Sequence, residues 1–326
     1  MEVIAEFGQS HRGDLSIAMA QARAAAQAGV TAAKWQIFDP ARLAAPSARR
    51  YWDAGLGGSE SQRETFETNG MLSYGEWHEL ASECHRVGVE FLATPFDLEA
   101  VELIASLEVV RVKLASADIT YLPLLDAIRD MGRAVVASVG AADDREIEIM
   151  LERLAPRPVT LLACTLSYPC PADRAGLARI NELAATFDVP VGYSDHTLLV
   201  ETALGAAAAG AVVLERHVSL GASHVPDDQM ALPIADLARY RELGELGEKL
   251  RARSRHAMGA LERRAHAQAR RGIYAARAIP AGKTIEPDDI IGLRPAEGAI
   301  GVECWDEVLG ERAAIDHAEG AVLMVV

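Results

Sequence analysis

Lysine is rare in this chain. Of its 32 lysine and arginine residues only four are lysines, and two of these, Lys34 and Lys113, fall near the ends of apolar segments. Cysteine is also rare, and the four cysteines have neither the spacing of zinc sites nor the density of a disulfide framework. This cysteine usage fits a reducing compartment.

Long apolar runs and an excess of positive charge are missing too. No run reaches the ~18 residues of a membrane span, and the first predicted strand starts at Val3, which leaves no room for a signal peptide. The formal net charge of -15 excludes non-specific binding to nucleic acid or to an anionic membrane surface. We therefore expect a cytoplasmic protein that binds neither nucleic acid nor membranes.

The chain does have a regular alternation of strand and helix patterns, with enough hydrophobic residues, 50%, for a large core. Eight short segments rich in Val, Ile, Leu and Ala precede residue 250, as is typical of strands buried on both faces. Helical patterns separate them, among them Asp173–Phe187 and Leu198–Ala209. This order predicts an α/β fold, a (β/α)8 TIM barrel over residues 1–250, with a doubly wound open sheet as the alternative. The predicted strands are Val3–Phe7, Thr31–Gln36, Val89–Thr94, Val109–Ala115, Ala134–Ser138, Val159–Cys164, Pro190–Tyr193 and Ala211–His217.

Three stretches depart from this alternation. Residues 38–72 form a long insert with Pro, Gly, Ser and aromatic residues, which predicts a lid over the site or, alternatively, a disordered loop. Residues 251–271 are rich in arginine and predict a polar helical linker. Residues 272–326 contain short β patterns punctuated by Pro and Gly, and they predict a small β-rich domain.

Two histidines stand at the ends of neighbouring predicted strands. His196 follows the seventh strand and His217 ends the eighth, with Asp195 and Glu215 beside them. Parallel neighbours bring their carboxyl ends to one edge of a sheet, so the two imidazoles are expected to meet. Such a pair suits a divalent ion that acts as a Lewis acid. The alternative is two histidines that are hydrogen-bonded to loops.

Lys34 and Lys113 similarly fall near the ends of the second and fourth predicted strands. Two compact ammonium groups with nearby hydroxyls suit a phosphate. In a barrel they converge on one mouth with other strand-end polar residues, such as His11 and Thr165. A phosphate site beside a metal site indicates phosphate-ester or carbonyl chemistry.

Eight motifs, in order along the chain, resemble those of the sialic acid synthase family, the N-acetylneuraminate or nonulosonic acid synthases. The resemblance covers the whole chain. Residues 272–326 are similar to the family's antifreeze-like (SAF, β-clip) domain. The motifs are Ile4–Asp14, Lys34–Gln36, Phe91–Asp97, Lys113–Asp118, Cys164–Pro169, Gly192–Thr197, Glu215–His217 and Pro226-Asp227.

The resemblance implies that the chain condenses phosphoenolpyruvate with an open-chain N-acylated amino sugar similar to N-acetylmannosamine. The products would be a nonulosonic acid and inorganic phosphate, formed with cleavage of a C–O bond. The resemblance also implies a divalent metal, Mn2+ with Mg2+ or Co2+ as alternatives, held by His196 and His217. This metal would polarise the sugar aldehyde while C3 of phosphoenolpyruvate attacks it, and water would then add at C2.

By the same resemblance, Asp118 and Glu6 are the candidate catalytic residues, and Asp118 would position or deprotonate water or a hydroxyl. The chain would form a domain-swapped homodimer, in which Arg294 reaches the N-acyl group bound by a neighbouring chain. The residues matched to phosphoenolpyruvate binding are Lys34, Thr94, Lys113, Ser116, Ser138 and Ser194. Those matched to the amino sugar are Gln36, Tyr168, Asp227 and Arg294.

The chain departs from the family's pattern at several positions. Ser10 replaces the usual Asn, Leu166 stands where Asn or Ser is frequent, and Val225 stands where Gly commonly precedes Pro-Asp. These positions flank the acceptor side as well as the phosphate, and they affect the identity of the sugar more than the class of reaction. Two other functions are alternatives: a metal-dependent barrel hydrolase or isomerase, and a carbohydrate-binding homologue without turnover.

Overall fold

The computed structural model describes residues 1–52, 59–221, 225–251 and 258–326. It divides into two compact units, Met1–Ala252 and Arg253–Val326. Part of the insert 38–72 (residues 53–58) and part of the predicted linker 251–271 (residues 252–257) lie outside the described residues.

Eight parallel strands form the centre of the first unit, in the order β3-β2-β1-β8-β7-β6-β5-β4. The two end strands, β3 and β4, also contact each other, so the sheet is a nearly closed barrel and the predicted (β/α)8 fold is confirmed. A short ninth strand, β9, pairs with β8. The strands are β1 Glu2–Gly8, β2 Ala32–Ile37, β3 Glu90–Pro95, β4 Arg111–Leu114, β5 Ala134–Ser138, β6 Val159–Ala163, β7 Val191–Asp195, β8 Val213–Ser219 and β9 Leu232–Pro233.

Helices cover the outside of this barrel, and apolar side chains from both layers form the main core. The described helices of the first unit are α1 Leu15–Ala28, α2 Pro40–Leu43, α3 Gln62–Asn69, α4 Tyr74–Val87, α5 Leu98–Ser106, α6 Leu122–Met131, α7 Asp144–Leu154, α8 Arg179–Phe187, α9 Thr202–Ala209 and α10 Ile234–Arg251. Among the described residues, no helix combines the length and the apolar character needed to cross a membrane.

Two helices start later than predicted. The pattern 173–187 gives a 3-10 turn and then α8, because Gly176 between them adopts a left-handed φ of 64° that a helix cannot contain. The pattern 198–209 becomes helical only at Thr202. Before it, the hydroxyl of Thr197 accepts a hydrogen bond from Leu199 N at 3.2 Å and so offers the backbone an alternative to the helix.

Side chains alternate between the inside and the outside of the barrel along each strand. Inside, an apolar layer fills the lower half, and Gly192 leaves room for it, because a Cβ there would lie 2.4 Å from the Val213 carbonyl oxygen and 2.6 Å from Leu162. Polar side chains fill the next layer toward the carboxyl ends. The apolar layer consists of Ile4, Ala32, Leu92, Val136, Leu162 and Val213.

An arginine joins three strands at the opposite, amino-terminal end of the barrel. Arg111 on β4 pairs with Glu90 on β3 at 2.9 Å and with Glu2 on β1 at 2.7 Å. Among the described strands no ladder of backbone hydrogen bonds connects β3 to β4, so this guanidinium connects across the one open seam.

The second unit has its own small core. Two antiparallel strands, β10 (Gly272–Ala275) and β11 (Ile290–Leu293), and several isolated antiparallel bridges form it, together with helices α11 (Ala260–Ala269) and α12 (Trp305–Val308). Buried Asp289 accepts hydrogen bonds from Lys283 Nζ at 2.6 Å. The β-rich character predicted for residues 272–326 is confirmed, although most of the pairing is by isolated bridges.

Candidate active site

A cavity of about 300 Å³ opens at the carboxyl ends of the barrel strands. Every first-unit residue that the family resemblance assigned to the site lines this cavity, and Arg294 belongs to the second unit. The insert 38–72 contributes to the wall as well. The predicted residues that line the cavity are Glu6, Lys34, Gln36, Thr94, Lys113, Ser116, Asp118, Ser138, Tyr168, Ser194, His196, His217 and Asp227.

Lys34 occupies one side of the cavity floor, fully inside the barrel. Its Nζ lies 2.7 Å from Glu6 Oε2 and 3.5 Å from Glu215 Oε2, and it donates to Thr94 Oγ1 at 3.2 Å. Burial lowers the pKa of Lys34, but Glu215 and Glu6 outweigh this effect and the pKa stays above its usual value. Lys34 is therefore a permanently charged cation.

Lys113 occupies the other side of the floor. Its Nζ donates to Ser138 Oγ at 2.7 Å and to Leu114 O at 2.9 Å, while Glu215 lies farther away, at 4.0 Å. Burial lowers the pKa of Lys113, and Glu215 offsets this only in part. An added anion would stabilise the ammonium form, so this side of the floor favours a negatively charged ligand.

Glu215 lies between the two lysines and accepts a hydrogen bond from Ser194 Oγ at 2.8 Å. Burial raises the pKa of Glu215, but Lys113 and Lys34 outweigh it, so the pKa lies below its usual value. For Glu6 the effect of burial on the pKa is larger than the opposing effect of the Lys34 charge, so the pKa of Glu6 is raised. The floor thus alternates cations and carboxylates, and the hydroxyls of Thr94, Ser138 and Ser194 are hydrogen-bonded to these charged groups.

His196 and His217 lie above this floor, with ring centroids 5.6 Å apart. His196 Nδ1 lies 2.9 Å from the Thr165 carbonyl oxygen, a contact that places the proton on Nδ1 and leaves Nε2 to coordinate. His217 Nδ1 is buried and 3.6 Å from Asp227 Oδ2. Burial lowers the pKa of both imidazoles, which favours the neutral form that binds metals.

The donor set fits a divalent ion held by two protein ligands. Within the described part of the chain, no cluster of three or more His, Cys, Asp or Glu is arranged to bind a metal. An ion held by His196 and His217 alone would have open positions for water or for substrate oxygens, as catalytic ions do.

The prediction that Asp195 stands beside the histidine pair is wrong. β7 continues through Asp195, so Ser194 and His196 face the cavity while Asp195 points to the outside of the barrel, where it pairs with Arg216. Asp195 and Arg216, which directly precede His196 and His217, thus face away from the cavity, whereas Glu215 lines it.

The expectation that His11 faces the mouth is also wrong. After β1 the chain makes successive tight turns, with Ser10 N bonded to Phe7 O and Asp14 N bonded to His11 O. They carry the His11 ring into the core, where it lies edge-on to Trp77 at 5.6 Å. Burial lowers the pKa of His11 to about 4.

A chain of amides lines one wall. Gln36 Nε2 donates to Glu6 Oε1 at 3.0 Å, Gln9 Nε2 donates to Gln36 Oε1 at 3.3 Å, and Asn69 Nδ2 donates to Gln9 Oε1 at 2.7 Å. Sequence reasoning missed Asn69, because it comes from α3 in the insert and follows no strand. Its only signal was the dipeptide Asn69-Gly70, which indicates a turn and no function.

The insert supplies an apolar wall that was not predicted in detail. The Phe66 ring packs against Phe38 at 5.4 Å and Trp52 at 5.8 Å, and Tyr51 approaches Tyr168 at 6.2 Å. The described part of the insert therefore forms part of the cavity wall, while its role as a lid stays a prediction. Leu166, the departure noted in the sequence, also faces the cavity.

Two other carboxylates of the cavity wall have raised pKa values. Burial raises the pKa of Asp118 to about 6, and its Oδ2 is buried without a hydrogen-bond partner. Burial, with a smaller effect of Glu6, raises the pKa of Asp227 to about 7. Asp227 is close to Gly8, where a Cβ would lie 2.6 Å from Asp227 Oδ2 and where φ is 53°, so a glycine is required.

Fold and cavity together define a barrel that places ionisable groups at the carboxyl ends of its strands, as barrel enzymes do. Residues 22–254 match the model of the NeuB family, and residues 270–324 match that of the SAF domain. The chain belongs to the NeuB family. The family resemblance of its motifs and the SAF assignment of its second unit are both confirmed.

Named relatives point in the same direction. The chain is 30% identical to N,N'-diacetyllegionaminic acid synthase of Campylobacter jejuni, over 98% of each chain. It is 28% identical to N-acetylneuraminate-9-phosphate synthase of Mus musculus, over 95% of this chain and 91% of that one. The crystal structure of N-acetylneuraminic acid synthetase from Leptospira borgpetersenii superposes with a TM-score of 0.71 and 28% identity, covering 80% of this chain and 88% of that chain. These relatives are synthases of nonulosonic acids.

Proposed function

We propose that this chain condenses phosphoenolpyruvate with an open-chain N-acylated amino sugar to give a nonulosonic acid and inorganic phosphate. The observation that carries the proposal is the two-lysine floor beneath the paired histidines in one cavity. The direct test is phosphate release from phosphoenolpyruvate with a panel of N-acyl amino sugars, with the product identified by mass. Release that does not depend on the sugar would contradict it.

Phosphoenolpyruvate is assigned to the floor. Lys34 and Lys113 supply the positive charge for its phosphate and carboxylate. The surrounding hydroxyls are short and fixed, so they add donors without filling the space. Those assigned are Thr94, Ser116, Ser138 and Ser194.

His196 and His217 are assigned as the ligands of a divalent ion, Mn2+ with Mg2+ or Co2+ as alternatives. When bound there, such an ion supplies Lewis-acid polarisation of an aldehyde oxygen. The side chains of Gln36, Tyr168 and Asp227 surround the remaining space and are assigned to the sugar. A new bond then joins C3 of phosphoenolpyruvate to the aldehyde carbon. Water adds at C2, and the bond from C2 to the phosphate oxygen breaks.

Asp118 and Glu6 are assigned to the proton transfers of this reaction. Asp118 is buried with a free oxygen and a pKa of about 6, so it is largely a carboxylate at neutral pH and can accept a proton from water or from a hydroxyl. Glu6 has a raised pKa and is 2.7 Å from Lys34, at the boundary between the floor and the amides. From its position beside Lys34, Glu6 can thus hold a proton and return it.

The pH dependence should show the titration of Asp118. Because only its deprotonated form accepts a proton, kcat/KM is expected to rise with pH through about 6 and to level off above it. In Asp118→Asn this rise of kcat/KM with pH, the acidic limb of the profile, should be absent, and most of the activity should be lost. In Asp227→Asn the acidic limb should remain. The measurement is kcat/KM against pH for all three proteins. A limb at the same pH in Asp118→Asn would reassign it to another group.

The acceptor is expected to carry no phosphate. In the described wall the cations are Lys34 and Lys113, both on the floor, while Asp118, and Asp227 in its ionised fraction, give the acceptor side negative charge. The one cation proposed for the sugar, Arg294, is assigned to its N-acyl group. Residues 53–58 and 222–224, which are outside the described part of the chain, contain neither lysine nor arginine and include one histidine, His224. Like charges in such a site cost several kcal/mol, so kcat/KM for N-acetylmannosamine should exceed that for its 6-phosphate by about a hundredfold or more. A neutral 6-O-acetyl ester controls for size, and equal rates for the phosphate would contradict the expectation.

The role of Arg294 and the assembly rest on the family resemblance alone, whereas the location rests on composition. Arg294 belongs to the second unit and is proposed to contact the N-acyl group bound by a neighbouring chain. The corresponding assembly is a domain-swapped homodimer, and the proposed location is the cytoplasm.

A further inference from the structure

A buried ion pair lies just outside the barrel, on the side of the strands away from the cavity. Asp195 Oδ2 is 2.9 Å from Arg216 Nη1, and the two side chains are 0% and 1% exposed. Asp195 ends β7 and Arg216 lies on β8, where the two residues are cross-strand partners. The pair therefore joins the two strands at a fixed register.

Each member has further contacts. Asp195 Oδ1 accepts a hydrogen bond from Thr197 N at 2.9 Å, and Asp195 Oδ2 accepts one from the Tyr240 hydroxyl at 3.1 Å. Arg216 Nη2 donates to the Met230 carbonyl oxygen at 3.4 Å, and the guanidinium lies 5.7 Å from the centre of the Tyr240 ring. The pair thus connects β7, β8, helix α10 and the segment that ends at Met230.

Three residues of the candidate site lie next to these anchored points. His196 directly follows Asp195, and His217 directly follows Arg216. Asp227 lies three residues before Met230, and the backbone N–H of Met230 donates to Asp227 O at 3.2 Å. Because successive strand residues point to opposite faces, fixing Asp195 against Arg216 outside the barrel also fixes His196 against His217 inside it.

Stability alone is a weak reason for such a pair. A buried ion pair costs much desolvation energy, and replacing it with apolar groups is often neutral for stability. Arg216 also leaves its buried Nε without a hydrogen-bond partner. We propose that Asp195 and Arg216 are positioning residues, which hold the two imidazoles at the separation that a divalent ion requires. This inference rests on the metal site of the proposed function.

The test compares Mn2+ binding in the absence of substrate, followed by the electron paramagnetic resonance signal of free Mn2+. The variant is Asp195→Asn/Arg216→Met, which removes both charges and keeps most of the volume. Melting temperature checks that it folds. We expect Mn2+ affinity to fall by about tenfold or more, the size found when residues behind metal ligands are changed. With saturating Mn2+, kcat should fall, while KM for phosphoenolpyruvate stays within about twofold.

The matched control is Glu90→Gln/Arg111→Met, which removes a similar ion pair between β3 and β4 at the other end of the barrel. Its Mn2+ affinity should equal that of the wild type. Arg216→Lys keeps the charge and provides a milder change if the double variant unfolds; it should weaken Mn2+ binding several-fold.

Wild-type affinity in every folded variant of the pair overturns the inference. If the wild type itself binds no Mn2+, the metal site of the proposed function is wrong and the inference is overturned with it. Normal Mn2+ binding without any condensation would overturn the reaction and leave the positioning role supported by the affinities.

Discussion

Replacing His196 and His217 together by glutamine is expected to abolish turnover, with a loss of at least about a thousandfold. The reason is that the two imidazoles are the only histidines in the described cavity wall, and Lewis-acid stabilisation by a bound metal ion would supply several kcal/mol to such a reaction. Glutamine keeps a similar size and can retain hydrogen bonds. The measurements are phosphate release, Mn2+ binding and melting temperature.

The control for this variant is His78→Gln. His78 lies on α4, where its Nε2 is 3.1 Å from Ser106 Oγ and where it contacts no part of the cavity. This change should leave both Mn2+ binding and phosphate release unaltered. A folded double variant at His196 and His217 that retains wild-type activity in the presence of a chelator would show that the metal is not used.

The second large effect is expected at Lys113. Lys113→Met removes a charge from the floor while keeping most of the side-chain volume, and kcat/KM for phosphoenolpyruvate should fall by about a hundredfold, the size of a lost charged hydrogen bond. Its nearest carboxylate is 4.0 Å away, so the loss should fall on ligand binding more than on stability.

Lys34 should behave differently. Its Nζ is 2.7 Å from Glu6, so Lys34→Met leaves a buried carboxylate unpaired and should also lower the melting temperature. In Lys34→Met/Glu6→Gln the melting temperature should recover while turnover stays low. Lys249→Met, at an exposed position on α10, is the control and should have no effect. Wild-type kinetics for phosphoenolpyruvate in both Lys113→Met and Lys34→Met would show that the phosphate site is elsewhere.

The sequence located those residues whose position follows from the ends of strands. Lys34, Lys113, His196 and His217 all occupy inward positions of parallel strands, and in a barrel such positions have to converge. Alternating strand and helix patterns were enough to predict that convergence. The family motifs then added Asp118 and further residues that strand ends alone do not distinguish from neighbouring polar side chains.

Sequence reasoning failed where side-chain direction depends on exactly how far a strand extends. β7 was predicted to end at Tyr193, and its two additional residues decide that Asp195 points outward. The position of His11 was predicted wrongly because it depends on a series of turns, and no sequence pattern specifies their direction. Asn69 reaches the cavity from the insert through tertiary packing, which local propensity does not encode.

The open seam between β3 and β4 gives the floor a second role. Lys34 and Thr94 stand on one side of that seam, on β2 and β3, and Lys113 stands on the other, on β4. An anion held by both lysines would bridge this seam electrostatically, at a place where no ladder of backbone hydrogen bonds connects β3 to β4. The ligand would then be a mechanical part of the barrel as well as its substrate. Its binding energy would stabilise the barrel at the carboxyl end of the seam between β3 and β4. Arg111 connects the same two strands at the amino-terminal end.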